Sequence, residues 1–228
     1  MILPIKDDNP TRRAPVFTVA ILGVNLAVFL YAVFLGSTGF KVFTLRLGLI
    51  PFEIMHARDA VSPTPIPLYL TFFTAMFMHG GWVHLAGNML YLWTFGNSIE
   101  DTLGHFRFLV FYLFCGVAAT LAHVLSAPDS TVPLVGASGA IAGVLGAYMA
   151  RFPGVRVHIL VFLFFFIQVV RVPALIVLGF WFIIQLVNAS VQGEGVAWYA
   201  HIAGFVVGYL LMRVRGRRIR RAFEGSYS

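Results

Sequence analysis

Long stretches without a charged side chain constrain this chain more than any other feature. Residues 16–35 contain no Asp, Glu, Lys or Arg. A helix rises 1.5 Å per residue, so about 20 apolar residues cross the roughly 30 Å hydrocarbon core of a bilayer. Further runs at 82–99, 106–125, 135–150, 173–191 and 196–214 are nearly as free of charge. The whole chain is 59% hydrophobic and 11% charged. A soluble domain carries about 25% charged residues, so water is the wrong solvent for most of this sequence. The expectation is an all-α, polytopic membrane protein of six transmembrane helices, forming one domain over residues 1–228.

The connecting segments are short, with two exceptions. Residues 36–67 read as a long mixed loop carrying Pro51, Pro63, Pro65 and Pro67. Residues 159–170 are apolar but only 12 long, with Arg171 and Pro173 close behind. That is short for a crossing, and the stretch is predicted to be interfacial or partly re-entrant; a seventh crossing is the alternative. The first 15 residues mix Lys6, Asp7, Asp8, Arg12 and Arg13. No small-residue cleavage site follows in the usual place, so 16–35 reads as a retained span rather than a removed signal.

Six crossings put both termini on one side, and the cations choose which. With a cytoplasmic N-terminus, the inside holds Lys6, Arg12, Arg13, Arg107, Arg151, Arg156, Arg171 and the six arginines between Arg213 and Arg221. Only Lys41, Arg46 and Arg58 remain outside. This asymmetry follows the positive-inside rule, and a seventh crossing would put the tail arginines outside. The net charge of +7 therefore reads as membrane orientation, not as a nucleic-acid surface. The tail can also attract anionic lipid headgroups. Trp82 and Trp198 stand near span ends, where an amphipathic ring suits the headgroup layer. The single cysteine, Cys115, reads as a packing residue.

Polar groups inside a span are expensive and mark candidate sites. His84 and Asn88 lie in the second span, Ser138 opens the fourth and His201 lies in the sixth; His79 just precedes the second. These three spans all enter from the outside. The four residues fall in their first one or two turns, so they share one shallow extracytoplasmic layer. His84 and Asn88 are four apart, on one helix face, and both can donate hydrogen bonds to a developing oxyanion. Taken singly, such residues also serve as bridges between membrane helices. Ser138 lies in Gly136-Ala137-Ser138-Gly139, at a helix start whose free backbone N–H groups favour negative charge; a serine there can equally be a plain N-cap. Gly139, Ala142, Gly143 and Gly146 leave one side of that helix nearly bare, and Ala200, Gly204 and Gly208 form a matching stripe. Small faces let membrane helices approach closely, which would bring His201 to Ser138. Imidazole is the usual base for a serine nucleophile. None of the nine acids lies in the core of a span. A Ser–His dyad is therefore expected rather than a triad.

The segments His79-Gly-Gly-Trp-Val-His84-Leu-Ala-Gly-Asn88, Gly136-Ala-Ser138-Gly139 and Ala200-His201-Ile-Ala-Gly204, with Gly208 beyond, resemble the rhomboid family in order, spacing and span position. Glu100 through Gly104 to Arg107 is a weaker match. The resemblance runs from about residue 70 to residue 211. It implies an intramembrane serine protease with a six-helix core, cutting other membrane proteins in or near their transmembrane segments, without metal or cofactor. Carried over position by position, Ser138 is the nucleophile and His201 the general base. His84 and Asn88, with the Ser138 N–H, form the oxyanion hole, while His79, Gly136, Gly139, Gly204 and Gly208 are structural. The 36–67 segment resembles the family's membrane-embedded first loop. Some members carry an aromatic residue four positions after the nucleophile, stacked on the catalytic histidine. Here that position is Ala142, which raises the question of what holds the His201 ring. The partners expected are transmembrane substrates and the bilayer, with no nucleic acid. The setting expected is a bacterial-type cell membrane, with both termini cytoplasmic and the site extracytoplasmic.

Three other readings fit the residues less well. A catalytically inactive relative would ordinarily lack Ser138 or His201. A transporter would show charged groups deep in its spans. A metal or haem protein could use His79, His84, His123 and His201, but no HExxH-type pair is present.

Overall fold

The computed structural model describes residues 2–60, 65–163, 166–191 and 196–224, with side chains apart from those of 2, 163, 166 and 216–224. Pro63 and Glu194 lie outside these residues. In chain order the elements are β1 (Ile2–Asp7), α1 (Val16–Phe34), α2 (Gly36–Leu47), α3 (Pro51–His56), α4 (Thr71–Thr74, flanked by single 3-10 turns), α5 (Trp82–Leu103), α6 (His105–Ser126), α7 (Ser138–Arg151), β2 (Arg156–Leu163), β3 (Phe166–Pro173), α8 (Ala174–Ser190) and α9 (Trp198–Glu224). A helix stands at each of the six apolar runs. Among the described residues α1 and α6 are long and apolar enough by themselves to cross a membrane, and α8 is apolar but shorter.

Two expectations need correction. The first part of the expected 36–67 loop is helical. Gly36–Leu47 forms α2 and Pro51–His56 forms α3, and Leu49 pairs with Leu134 in an isolated bridge. Leu49, Ala75 and Val124 form a small buried cluster there, with Ile54, Phe72 and Leu134 packed against it. The prolines misled the reading because Pro51 sits at the start of α3, where its missing N–H costs nothing.

The second correction narrows the all-α expectation to a mostly helical chain with one three-stranded sheet. The segment expected to be interfacial or partly re-entrant supplies most of two strands, β2 up to Leu163 and β3 from Phe166, with β2 antiparallel to both β1 and β3. Val161 of β2 faces Gln168 of β3, and Leu3 faces Leu160 on the other edge. Val157, Ile159, Val169, Val170 and Val172 favour extended backbone. Val157 and Ile159 are buried while their neighbour His158 is only half-buried, the alternation of a strand with one packed face.

Helix starts are held by side chains distant in sequence. The buried carboxylate of Glu100 accepts from the Phe17 and Thr18 N–H groups at 2.9 and 2.7 Å and from the Thr18 hydroxyl at 2.7 Å. It thus satisfies orphan donors at the start of α1 and places negative charge where the helix dipole favours it. Asp101 accepts from the Arg13 N–H at 3.0 Å. At the other end of β1, the Asp7 carboxylate, also buried, accepts from the hydroxyls of Tyr148 at 2.6 Å and Ser98 at 2.9 Å. This ties the N-terminal strand to α5 and α7.

The tightest packing joins α7 and α9. A Cβ on Gly204 would strike the Gly139 carbonyl, one on Gly208 the Gly143 carbonyl and one on Gly146 the Phe205 carbonyl. The two backbones therefore touch along the glycine stripes. Around them a core of Phe95, Phe108, Tyr112, Leu145, Tyr148 and Leu178 is fully buried. The outer faces are apolar too, as Phe34, Val83, Phe106, Ile176 and Phe180 show.

Candidate active site

Ser138 is the first residue of α7, and the Ala137 that precedes it supplies no capping side chain. The Ser138 hydroxyl points to α9 instead: its Oγ lies 2.8 Å from Nε2 of His201. The close approach of α7 and α9 is what makes this possible, because His201 stands one turn before Gly204. Ser138 is half-buried and His201 buried.

The other face of His201 meets α8. Its Nδ1 lies 2.8 Å from Oε1 of Gln185, and the Gln185 amide donates from Nε2 to the Trp181 carbonyl at 3.1 Å. Trp181 lies tilted against the imidazole at 5.9 Å between centroids, and Trp198 meets it edge-on at 6.2 Å. Sequence reasoning passed over Gln185 and Trp181. Yet Gln185 carried the same signal as His84, a polar group inside an apolar run. The fixed offset from the nucleophile pointed to Ala142 on α7, while the rings that fill that role here come from α8 and from the start of α9.

His84 and Asn88 sit on one face of α5, turned toward the loop that leads into α7. Gly136, with φ +130°, is the contact point: a Cβ there would lie 2.9 Å from His84 Cε1 and Nε2, and 3.8 Å from Asn88 Nδ2. Only glycine allows both that backbone and that proximity. The Gly136 N–H donates to the Ala75 carbonyl at 2.9 Å, which anchors the loop. Asn88 is buried, and among the described residues its Nδ2 has no hydrogen-bond partner. A buried amide without a partner costs about 1–3 kcal/mol, so this donor is held open for something. The Gly80 N–H donates a long hydrogen bond of 3.5 Å to Nδ1 of His84, which leaves the single proton of the neutral ring on Nε2. His79 is buried and meets His84 edge-on at 5.1 Å. His79, His84, His123 and His201 form no metal-ligating group among the described residues.

An acceptor nitrogen against a hydroxyl, with a buried amide donor on the neighbouring helix that has no partner among the described residues, can activate a serine and stabilise the oxyanion that forms when it attacks a carbonyl.

Comparison with known proteins gives a family. A model of the Rhomboid domain matches residues 68–218. The chain is 34% identical over 108 residues to the chloroplastic Rhomboid-like protein 11 of Arabidopsis thaliana, covering 46% of this chain and 38% of that one. It is 42% identical over 76 residues to the Rhomboid protease GluP of Bacillus subtilis, covering 33% and 14%. It is 34% identical over 147 residues to the mitochondrial Rhomboid protein 1 of Saccharomyces cerevisiae, covering 63% and 38%. The match thus spans less than two fifths of each relative's length. Their names point at least as much to organelle membranes as to the bacterial-type membrane expected from sequence.

Proposed function

We propose, from the premise that this chain belongs to the rhomboid family, that it is an intramembrane serine endopeptidase cutting membrane proteins in or near their transmembrane segments. The observation that carries the reading is the 2.8 Å approach of His201 Nε2 to Ser138 Oγ. The one relative among the three whose name states an activity is a protease.

In this reading His201 removes the hydroxyl proton as Ser138 attacks the scissile carbonyl, and it then gives that proton to the leaving amine. The tetrahedral oxyanion takes hydrogen bonds from Asn88 Nδ2, His84 Nε2 and the free N–H of Ser138 at the start of α7. Water admitted to the site hydrolyses the acyl-enzyme, with His201 again as base. The substrate helix must unwind locally, because a helical peptide bond is shielded by its own backbone.

The same reading places six crossings, at α1, α5, α6, α7, α8 and α9, with both termini cytoplasmic. Two pairings support this order. β1 pairs with β2, which needs an even number of crossings between them, and α1, α5, α6 and α7 make four. Leu49 pairs with Leu134, and both then fall outside, in one layer with Ser138.

The test is cleavage of a single-span substrate by the purified protein in liposomes. Ser138→Ala and His201→Ala, each shown to be folded, should lose about 10³-fold or more. A folded wild type inert on a broad substrate panel would favour a binding role. Undiminished cutting by Ser138→Ala would remove the mechanism.

A further inference from the structure

We infer that Gln185 is a positioning residue, holding His201 in the one neutral tautomer that can accept the Ser138 proton. The inference rests on the protease reading above and adds a third member to its hydrogen-bond chain.

Gln185 is a buried amide in a largely apolar helix, whose other polar side chains, Asn188 and Ser190, lie in its last turn. A buried amide is costly unless both its ends are paired, and here both are. Its Nε2 donates to the Trp181 carbonyl at 3.1 Å and its Oε1 lies 2.8 Å from Nδ1 of His201. The amide cannot be reversed. A flip would set its oxygen against the Trp181 carbonyl, acceptor on acceptor. The Trp181 carbonyl therefore fixes the oxygen toward the imidazole.

That oxygen can only accept, so Nδ1 of His201 must carry the hydrogen. In the neutral ring the lone pair then falls on Nε2, which faces Ser138 Oγ at 2.8 Å. Without Gln185 the ring is free to carry its proton on Nε2, and Nε2–H cannot take a proton from serine. Where soluble serine proteases place a carboxylate at this point, this chain places a neutral carbonyl dipole. Trp181 and Trp198 hold the ring plane. Trp181 thus acts twice, through its ring and through its backbone oxygen.

The ionisable side chains that act on His201 among the described residues are His84 of α5 and His123 of α6. No carboxylate faces it among them, so a carboxylate introduced at 185 would be the first, which makes Gln185→Glu a sharp probe. The full chain is assayed in liposomes with a single-span substrate, as wild type, Gln185→Leu and Gln185→Glu. Gln185→Leu is expected to lower kcat roughly 10- to 100-fold with KM within twofold, the scale on which metal-ligating histidines suffer when their orienting partner is removed. Gln185→Glu is expected to keep much more activity and to move the acidic limb of kcat/KM up by about one pH unit. In parallel, ¹⁵N NMR of histidine-labelled protein should show His201 as the Nδ1–H tautomer in the wild type and not in Gln185→Leu.

A Gln185→Leu enzyme with wild-type kcat overturns the inference. So does an unmoved acidic limb in Gln185→Glu. Should Gln185→Leu fail to fold, the Gln185→Glu profile decides. Should the wild type prove inert, the protease reading falls separately, and the NMR comparison still decides whether Gln185 sets the tautomer.

Discussion

Asn88 and Gly136 define what single residues do here. The unpaired Nδ2 of Asn88 is buried beside Gly136, so in the proposed mechanism its hydrogen bond forms only once the oxyanion exists. Asn88→Ala should therefore lower kcat about 10²-fold while KM changes little, as steady-state cleavage kinetics would show; an equal loss in binding alone would argue for a merely structural amide. At Gly136 a methyl group would meet the His84 ring, and φ +130° would strain any side chain. Gly136→Ala should cost about 1–3 kcal/mol of stability and displace His84, which Tm and kcat measured together would reveal. At this scale the sequence was informative. His84, Asn88, Ser138 and His201 were legible because a polar group in a span must have a use. Gln185 stands late in its helix, the twelfth residue of Ala174–Ser190, and so outside the first turns in which the other four lie.

The α7–α9 seam is the element on which the site depends. Its glycines face one another's carbonyls rather than lipid, so a larger side chain can be admitted only by moving the helices apart. Gly208→Leu should remove activity by lengthening the Ser138–His201 distance, although the substitution lies about two turns from His201. A variant that cuts normally would show that the seam yields elsewhere. The β-sheet was less legible. A short apolar run with β-branched residues suits a strand, and its shortness was read instead as re-entry. What decided the matter was pairing with β1, and no local pattern announces a partner some 150 residues away. That pairing has its own electrostatic clasp. The Asp8 carboxylate lies 2.6 Å from Nε2 of His158. The His158 hydrogen bond holds the Asp8 pKa below its ordinary 3.8, with smaller help from the charges of His158, Arg171 and Lys6. A carboxylate lowered in the folded state contributes fully above its ordinary value, and the contribution is lost as pH falls through the lowered one. The protection of the β1 amides, taken relative to their intrinsic exchange at each pH, should therefore fall below about pH 4, and Asp8→Asn should flatten that dependence. Matching profiles for the two proteins would assign the docking of β1 to Asp7 and the backbone alone.

On the scale of the whole molecule the two ends of the bundle differ. Ten residues separate Ser138 from Tyr148 on α7 and Asn88 from Ser98 on α5. That is about 15 Å along each helix, with the candidate site at one end and the buried Asp7 anchor at the other. In the proposed topology the first end faces outward and the second inward. Single cysteines placed in a Cys115→Ala background test it: Ser130→Cys should react with an impermeant maleimide from the extracytoplasmic side, and Gly154→Cys only after the membrane is opened. The reverse labelling would invert the topology. The sequence alone determined that the chain is unusually apolar, where the helices of its six apolar runs begin, and which polar residues stand in their first turns. Those properties follow from local composition and a fixed rise per residue. Only the tertiary structure decided that 159–170 falls in two strands, the first paired with the N-terminal β1, that Glu100 caps α1, and that Gln185 lies behind His201. Each of these joins segments far apart in sequence. Contacts of that kind are settled by how close whole helices can come, which no single stretch of the chain encodes.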